Sequence, residues 1–591
     1  MMHQPHKNPS EDTRNMVLAL VLTALVLFGW RYFTADERAA QEAQRAQRQT
    51  EAMQRRESQA QSVLPVSKLQ HTSKTRGDAL LTSQRVRINT PELHGSINLK
   101  GARFDDLTLA SYNQTVEPGS DEVVLLTPRI KGEGYFAEFG WAGSGVALPN
   151  ADTLWQADTN VLNETQPVTL SWNNNEGLVF QMIISVDKHY MFTITRKVVN
   201  EAGQTVTIAP YSLINRTLNE REQEFIILHQ GPLGVSNDVL HEYDYDELED
   251  GKITKNQQDG WVGITDKYWL TSLIPASNSQ EFTSKYHYYM TGDDKRYQTD
   301  ILATPVTLDA GTSHEDTTHF FAGAKQIDLL DTYAEEYDIL LFDRAVDFGV
   351  LYFLTRPFLT ALTFFYSILG NFGLAILALT VIIKAVMFPL ANKSYASMSQ
   401  MKFLMPKMKE IRERFSDDRV KINQEIVELY KKEGVNPAAG CLPMLLQIPV
   451  FFALYKVLFI AIEMRHAPFY GWIEDLSVKD PSNIFTLFGT IPWSAPEFLH
   501  VGLLPIIMTI TMIIQQKLNP KPADPTQAQV MKFLPYMFLF LFASFPAGLV
   551  LYWAWNNTLS IIQQYLITRR FSKLYDRDTG KRIKPKHNKT S

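Results

Sequence analysis

The 591-residue chain has one cysteine, Cys441, which excludes a disulfide within the chain and supplies no cysteine cluster for a metal. HExxH, GxSxG and P-loop patterns are missing, and the histidines are scattered without metal-ligand spacing. The adjacent pair Asp105-Asp106 falls in a strand-like stretch, where neighbours face opposite sides, so it does not read as a catalytic dyad. No covalent enzyme chemistry, metal or cofactor is expected. Long apolar runs are also missing between residue 34 and Asp343, whereas hydrophobicity dominates from there almost to the end. The chain therefore contains two populations, one soluble and one membrane-spanning. A formal net charge of −6 averages an acidic soluble part with basic flanks and says little about partners.

The first apolar run, Met16 to Phe33, is about the length of a hydrocarbon core. It ends in Trp30, Arg31, Tyr32 and Phe33, an interfacial anchor pattern without a small-x-small cleavage site, and reads as an uncleaved signal anchor. Residues 1–15 would precede it in the cytoplasm, and 34–63, rich in Ala, Gln, Arg and Glu with no apolar stripe, would be a tether. Over 64–332 the pattern changes to short period-two runs such as Arg85-Val-Arg-Ile-Asn, Leu178-Val-Phe-Gln-Met-Ile-Ile-Ser-Val and Phe192-Thr-Ile-Thr, punctuated by Gly, Asn, Asp and Pro. These predict a large β-sandwich domain. Residues 346–369, aromatic and amphipathic around Arg356-Pro357, predict a helix lying in the interface.

Five candidate spans follow, about Phe372–Leu390, Leu442–Ile462, Phe498–Gln515, Met531–Phe545 and Gly548–Thr568. The intervening segment 391–440 holds ten Lys or Arg, against only Arg465 and Lys479 in 465–500, and nine more follow in the tail 569–591. By the positive-inside rule that segment and both termini are cytoplasmic, with the β-domain and the 465–500 loop outside. Six spans satisfy this.

A cation within a span, Lys384, costs ~2.5–3.5 kcal/mol at mid-depth and needs an explanation. One reading is snorkelling toward the cytoplasmic interface. The other is a wet, positive cavity lined by its i−4 neighbour Thr380 and by the Ala385 carbonyl that Pro389 leaves unpaired. Gln447 and Pro449 repeat the pattern in the next span, as helix-packing glue or as a client contact. Asn556, Asn557 and Thr558 make the last span polar as well. Lys456 lies nearer the outer end, where pairing with Glu463 would give it a structural role. In the cytoplasmic segment, Met398, Met401, Met405, Met408, Ile411 and Phe415 share one helix face. Asp417 and Asp418 can cap a second helix that Gly434 and Asn436-Pro437 stop, giving a helical hairpin over 391–440. Its methionines either seal the hairpin or offer an adaptable apolar surface to clients.

Several stretches resemble the YidC family, related to the mitochondrial Oxa and chloroplast Alb insertases: Asn371-Phe-Gly-Leu-Ala, Asn436-Pro-Ala-Ala-Gly-Cys-Leu-Pro-Met-Leu-Leu-Gln-Ile-Pro, Phe545-Pro-Ala-Gly-Leu-Val-Leu-Tyr-Trp and Ile561-Ile-Gln-Gln. The resemblance covers the C-terminal half in order. It implies a polytopic α-helical membrane protein of six spans, with a five-span insertase core over 371–568 and, as in the Gram-negative form, a large periplasmic β-super-sandwich. It implies a membrane protein insertase and chaperone of the inner membrane, not an enzyme, acting on nascent membrane proteins alone or beside the Sec translocon. In that family a positive residue in the first span of the core sits in a hydrophilic groove open to cytoplasm and lipid. Lys384 occupies that position, where arginine is usual, and keeps the charge without the bidentate fork. Thr380, Gln447, Phe451 and Tyr552 fall on similar groove positions, and Trp553 stands where many relatives carry a second tyrosine. Met401, Met405 and Met408 are candidate client contacts. Arg577, Lys581 and Arg582 are candidate ribosome contacts, and membrane lipids are the surrounding partner. Two rival readings are a secondary transporter, against which the five spans show no paired repeats, and an envelope carbohydrate-binding protein, which fold alone cannot support.

Overall fold

The computed structural model describes residues 75–218, 228–276, 281–349, 351–416, 418–435, 442–487, 491, 496, 500–519 and 525–572. The expected anchor at 16–33, the tether at 34–63, Asp417, the Asn436–Cys441 part of the family stretch, and Arg577, Lys581 and Arg582 lie outside these residues.

Alternation of apolar and polar side chains gives each strand one face to bury, and two sheets bury those faces against each other. One sheet has eleven strands and the other nine. Strand Leu178–Val186 alternates strictly between buried and half-buried positions, as its sequence predicts. The core runs between the sheets: Phe104 of the larger meets Phe192 and Phe320 of the smaller edge to face, with centroids 5.4 and 5.6 Å apart. Strand Glu133–Gly143 departs from alternation because its second face is covered too. Two guanidiniums, Arg103 and Arg129, lie 4.7 and 5.1 Å over the Phe136 ring, and Arg103 pairs with Glu138. Asp105 and Asp106 are held by different arginines, Arg85 and Arg76, so they do not act as a dyad.

Packing onto the sandwich continues past residue 332. Helix α1 (Ile327–Glu336) buries Leu330 and Tyr333 in the core, and the Trp261 indole donates to the Leu340 carbonyl at 2.9 Å. Helix α2 (Tyr352–Leu369) then leaves Phe353, Phe364 and Ile368 exposed. Arg356 turns toward carboxylates. It bridges Asp331 of α1 and Asp343, tying α2 to the sandwich.

Helix α3 spans Phe372–Arg414, α4 Arg419–Glu433, α5 Leu442–Ile460, α6 Leu503–Leu518, α7 Pro525–Ala543 and α8 Ala547–Ser572. Among the described residues one helical stretch, Phe372–Lys402, is long and apolar enough to cross a membrane. Gln447–Ile460, Leu503–Leu518 and Ala528–Ala543 are shorter apolar helices. The helix that carries the expected span Phe372–Leu390 extends beyond Leu390. It runs on unbroken through Pro389 and Pro406 into the first arm of the hairpin, since each proline removes only one backbone hydrogen bond. Asn371 caps α3, its side chain accepting from the Leu374 N–H at 3.0 Å. Gly373 is needed by a close approach: a Cβ there would lie 2.0 Å from the Phe469 ring. The Asn-Phe-Gly stretch thus starts the helix and seats it against Pro468 and Phe469. At the other end of the hairpin, Asp418 caps α4 through the Lys421 N–H and Gly434 ends it in the left-handed region.

Charged side chains join the sandwich to the helices. Lys456 does not reach Glu463. With α5 ending at Ile460, its ammonium instead pairs with Asp347 at 2.7 Å. Glu463 sits against the start of α1, where burial, helped by Asp328, pushes its carboxyl up to about 7 against the opposing N–H groups of Glu463 and Ile327. Arg465 donates to the Asn113 carbonyl at 2.6 Å, and Lys267 lies 4.0 Å over the Phe459 ring.

Candidate functional site

Helix α8 carries Tyr552, Asn556, Ser560 and Gln564 at four-residue spacing, one above the other at about 6 Å steps, so a single stripe of the helix is polar. All four are buried. Neighbouring helices meet this stripe. Gln447 of α5 donates its Nε2 to the Tyr552 hydroxyl. Lys384 of α3 donates to Ser560 Oγ at 2.9 Å, and that hydroxyl in turn donates to the Asn556 carbonyl at 2.8 Å. Gln564 donates to Asn519 Oδ1 at 2.9 Å, at the end of α6. Beside the stripe, Asn557 donates to Thr511 at 3.2 Å.

Two acceptors on the stripe, Asn556 Oδ1 and Gln564 Oε1, are buried without a hydrogen-bond partner among the described residues. Leaving such an atom unpaired costs ~1–3 kcal/mol. These oxygens flank the lysine's partner along α8, Asn556 one turn to one side of Ser560 and Gln564 one turn to the other. The stripe therefore combines a cation with unmet acceptors, a setting suited to water or to the N–H groups of an incoming peptide.

The remaining candidates distribute around it. Thr380 is buried and donates to the Ile376 carbonyl of its own helix at 2.6 Å, so its proton is engaged within α3. Phe451 and Trp553 stand edge to face at 4.6 Å, and Phe542 lies 4.9 Å from Trp553. They form an aromatic wall next to the Gln447–Tyr552 contact. The methionine face of α3 is divided. Met408 is buried in the hairpin, with the Tyr430 hydroxyl donating to its sulfur at 3.4 Å, and Leu404 and Ile426 are buried too. Met405 is exposed, and Met401 is half-buried.

Three residues that the sequence reading missed hold this arrangement. Ser560 and Gln564 carry a signal that was available, the i+4 continuation from Asn556. Asp480, between α5 and α6, is buried; its carboxylate accepts from the Trp472 indole at 3.0 Å and the Ser482 N–H at 2.9 Å, and caps α6 through the Leu504 N–H at 2.8 Å. An acidic residue shortly before a predicted helix is the available hint.

Comparison with known proteins bears on the whole chain. The family described as 60Kd inner membrane protein matches residues 364–574, and the YidC periplasmic domain matches 85–361. The protein named membrane protein insertase YidC from Rickettsia bellii (strain OSU 85-389) is 48% identical over 560 residues, covering 94% of this chain and 98% of that protein. Its namesake from Methylorubrum extorquens (strain PA1) is 48% identical over 589 residues, covering 95% of each. A solved structure described as an active YidC insertase with its first transmembrane domain resolved is 16% identical, covers 82% of this chain and 93% of that one, and has a TM-score of 0.35, too loose a likeness to bear on the site. Matches along almost the full length of both relatives, together with a periplasmic β-sandwich joined to a helical membrane core, place the chain in the YidC family of inner-membrane protein insertases, which do not catalyse a covalent reaction.

Proposed function

We propose that this insertase works through a hydrated, positively charged groove along the polar stripe of α8, with Lys384 as its charge. The observation that carries the reading is the conjunction on that stripe of Lys384, bonded to Ser560, with the unpaired acceptors Asn556 Oδ1 and Gln564 Oε1. A short hydrophilic client segment gains donors, acceptors and a counter-charge there, which lowers the cost of taking polar groups through the bilayer. The client's apolar segment meanwhile partitions into lipid along the helices. No nucleotide enters the scheme. Gln447 and Tyr552 extend the polar path, while Phe451 and Trp553 form its apolar wall.

In this reading six spans cross the inner membrane, both termini are cytoplasmic, and the exposed Met405 with Met401 greets clients before they enter. The basic tail, including Arg577, Lys581 and Arg582, docks a ribosome through phosphate contacts, and the protein also works beside the Sec translocon. Positive-inside charge and the family relationship support the topology. The test is insertion of a short two-span client into liposomes containing only this protein. Insertion that depends on the protein and needs no nucleotide is the expected result, and liposomes that insert the client equally well without it would overturn the proposal. Tail deletion from Arg577 to Ser591 should weaken sedimentation with translating ribosomes in a salt-sensitive way; unchanged sedimentation removes the docking role.

A further inference from the structure

Beyond the reach of Gln564 the four-residue spacing on α8 continues to Thr568, and there a cavity of about 230 Å³ opens between three helices, lined by Lys402 of α3, Leu518 of α6, and Tyr565, Thr568 and Arg569 of α8. We propose that this cavity binds the phosphate of an anionic phospholipid headgroup, with the acyl chains lying along the exposed flank of α8.

Charge is the first argument. Lys402 and Arg569 both border the cavity, Arg570 follows, and no Asp or Glu occurs in 391–402, 503–519 or 547–572, so the three helical segments that form the walls carry positive charge and no acidic residue. Lys402 spends one N–H on the Leu518 carbonyl at the end of α6, which fixes the ammonium at the cavity and leaves two N–H groups for phosphate oxygens. The Thr568 and Tyr565 hydroxyls add neutral donors.

Depth is the second argument. The apolar helical stretch from Phe372 to Lys402 has 31 residues. At 1.5 Å per residue it is about 45 Å long, the thickness of a bilayer with its headgroups. With Phe372 at the outer surface, Lys402 falls at the level of the inner headgroups. Apolar exposure is the third argument: Ile562, Tyr565 and Leu566 are all more than half exposed or nearly so on the flank beside the cavity, as a surface facing acyl chains requires. A soluble anion would make no use of that flank. The site lies at the mouth of the proposed groove but does not depend on client insertion, so the two are tested separately.

The full chain, purified in neutral detergent, would be titrated with phosphatidylglycerol and with phosphatidylcholine, and bound lipid counted by native mass spectrometry. The expected result is preferential retention of phosphatidylglycerol, weakened about fivefold for each charge removed in Lys402→Gln and Arg569→Gln, the equivalent of ~1 kcal/mol per cation. Lys402→Arg should retain it. Circular dichroism would confirm folding, and the exposed Arg569→Gln alone serves if Lys402→Gln does not fold. The proposal is overturned if these variants retain the lipid as before, if Lys432→Gln on the hairpin weakens it equally, or if inorganic phosphate displaces it at equal concentration, which would mark a site for free phosphate.

Discussion

The β-sandwich and the helical core handle apolar surface in opposite ways. In the sandwich Phe104, Phe180, Phe192 and Phe320 are all essentially inaccessible, packed between two sheets. In the helical core Val386 is 76% exposed, Phe533 67% and Leu566 59%. The first pattern is that of a domain whose solvent is water, driven together by removal of apolar area. The second is that of helices whose solvent is lipid, where exposed apolar side chains cost nothing and association rests on packing and hydrogen bonds between helices. Polar groups differ in kind as well. The sandwich buries ionic pairs such as Arg103–Glu138 and Arg196–Asp316, whereas α8 lines up four buried polar side chains, three of them uncharged amides or hydroxyls beside Tyr552, on one stripe.

Equal side chains in the two regions should therefore give unequal losses. Phe320→Ala, in the centre of an aromatic cluster with Phe104, Phe139 and Phe192, should destabilise the sandwich by ~3–5 kcal/mol. Phe533→Ala on the lipid-facing side of α7 should stay within about 0.5 kcal/mol. Urea denaturation of the full chain in detergent, followed by tryptophan fluorescence, measures both, and similar losses would break the comparison.

Proton linkage sharpens it further. Asp300 is fully buried in the sandwich, and burial pushes its carboxyl up to about 7 against Gln298 and Lys285, while burial with Lys285 and Lys252 lowers His287, 3.5 Å away, to about 4. The native carboxyl holds a proton between about pH 4 and 7 that the unfolded one has lost, so Asp300 alone makes stability fall as pH rises through that window. His287 acts oppositely, because between about pH 4 and 6.5 the unfolded imidazole binds a proton that the native one does not. The two nearly cancel in the intact protein. His287→Gln should unmask a stability that falls from pH 4 to 7, on the order of 2–4 kcal/mol, and Asp300→Asn one that rises from pH 4 to 6.5. Two flat profiles would show that neither group is held as described.

The hairpin offers a comparison within one helix face. Met408→Ser, inside the hairpin, should cost ~1–3 kcal/mol and lower helix content, whereas Met405→Ser, on the exposed side, should leave stability within about 0.5 kcal/mol and reduce insertion. Equal effects on both measures would assign the whole face to hairpin packing.

Much of this was legible before any coordinates. Strict alternation in Leu178–Val186 specified a half-buried strand, and the Asp418 cap and Gly434 stop placed the ends of the second hairpin helix where they are found. Glu133–Gly143 was not legible as a strand with two buried faces, because the arginines that cover it come from other strands. The continuity of the helix that carries Lys384 with the methionine face was not legible, because polar residues separate the two apolar patterns. At the site, Lys384 stood out as a charge in an apolar run. Its partner did not, since Ser560 lies 176 residues away and a serine in a helix announces nothing by itself. Lys456 likewise pointed to the nearest acid in sequence and found Asp347, 109 residues away.

The groove account is tested most directly by replacing Lys384 in reconstituted liposomes and following clients that differ only in the charge of the translocated tail. Lys384→Ala should slow insertion of an acidic-tailed client about fivefold, the equivalent of ~1 kcal/mol for a charge pair screened by a hydrated groove. A neutral-tailed client should be little affected, and Lys384→Arg should behave as the unaltered protein. Insertion of acidic-tailed clients at the normal rate by a folded Lys384→Ala protein would mean that the lysine is a packing element bonded to Ser560, and that the stripe on α8 does not work through charge.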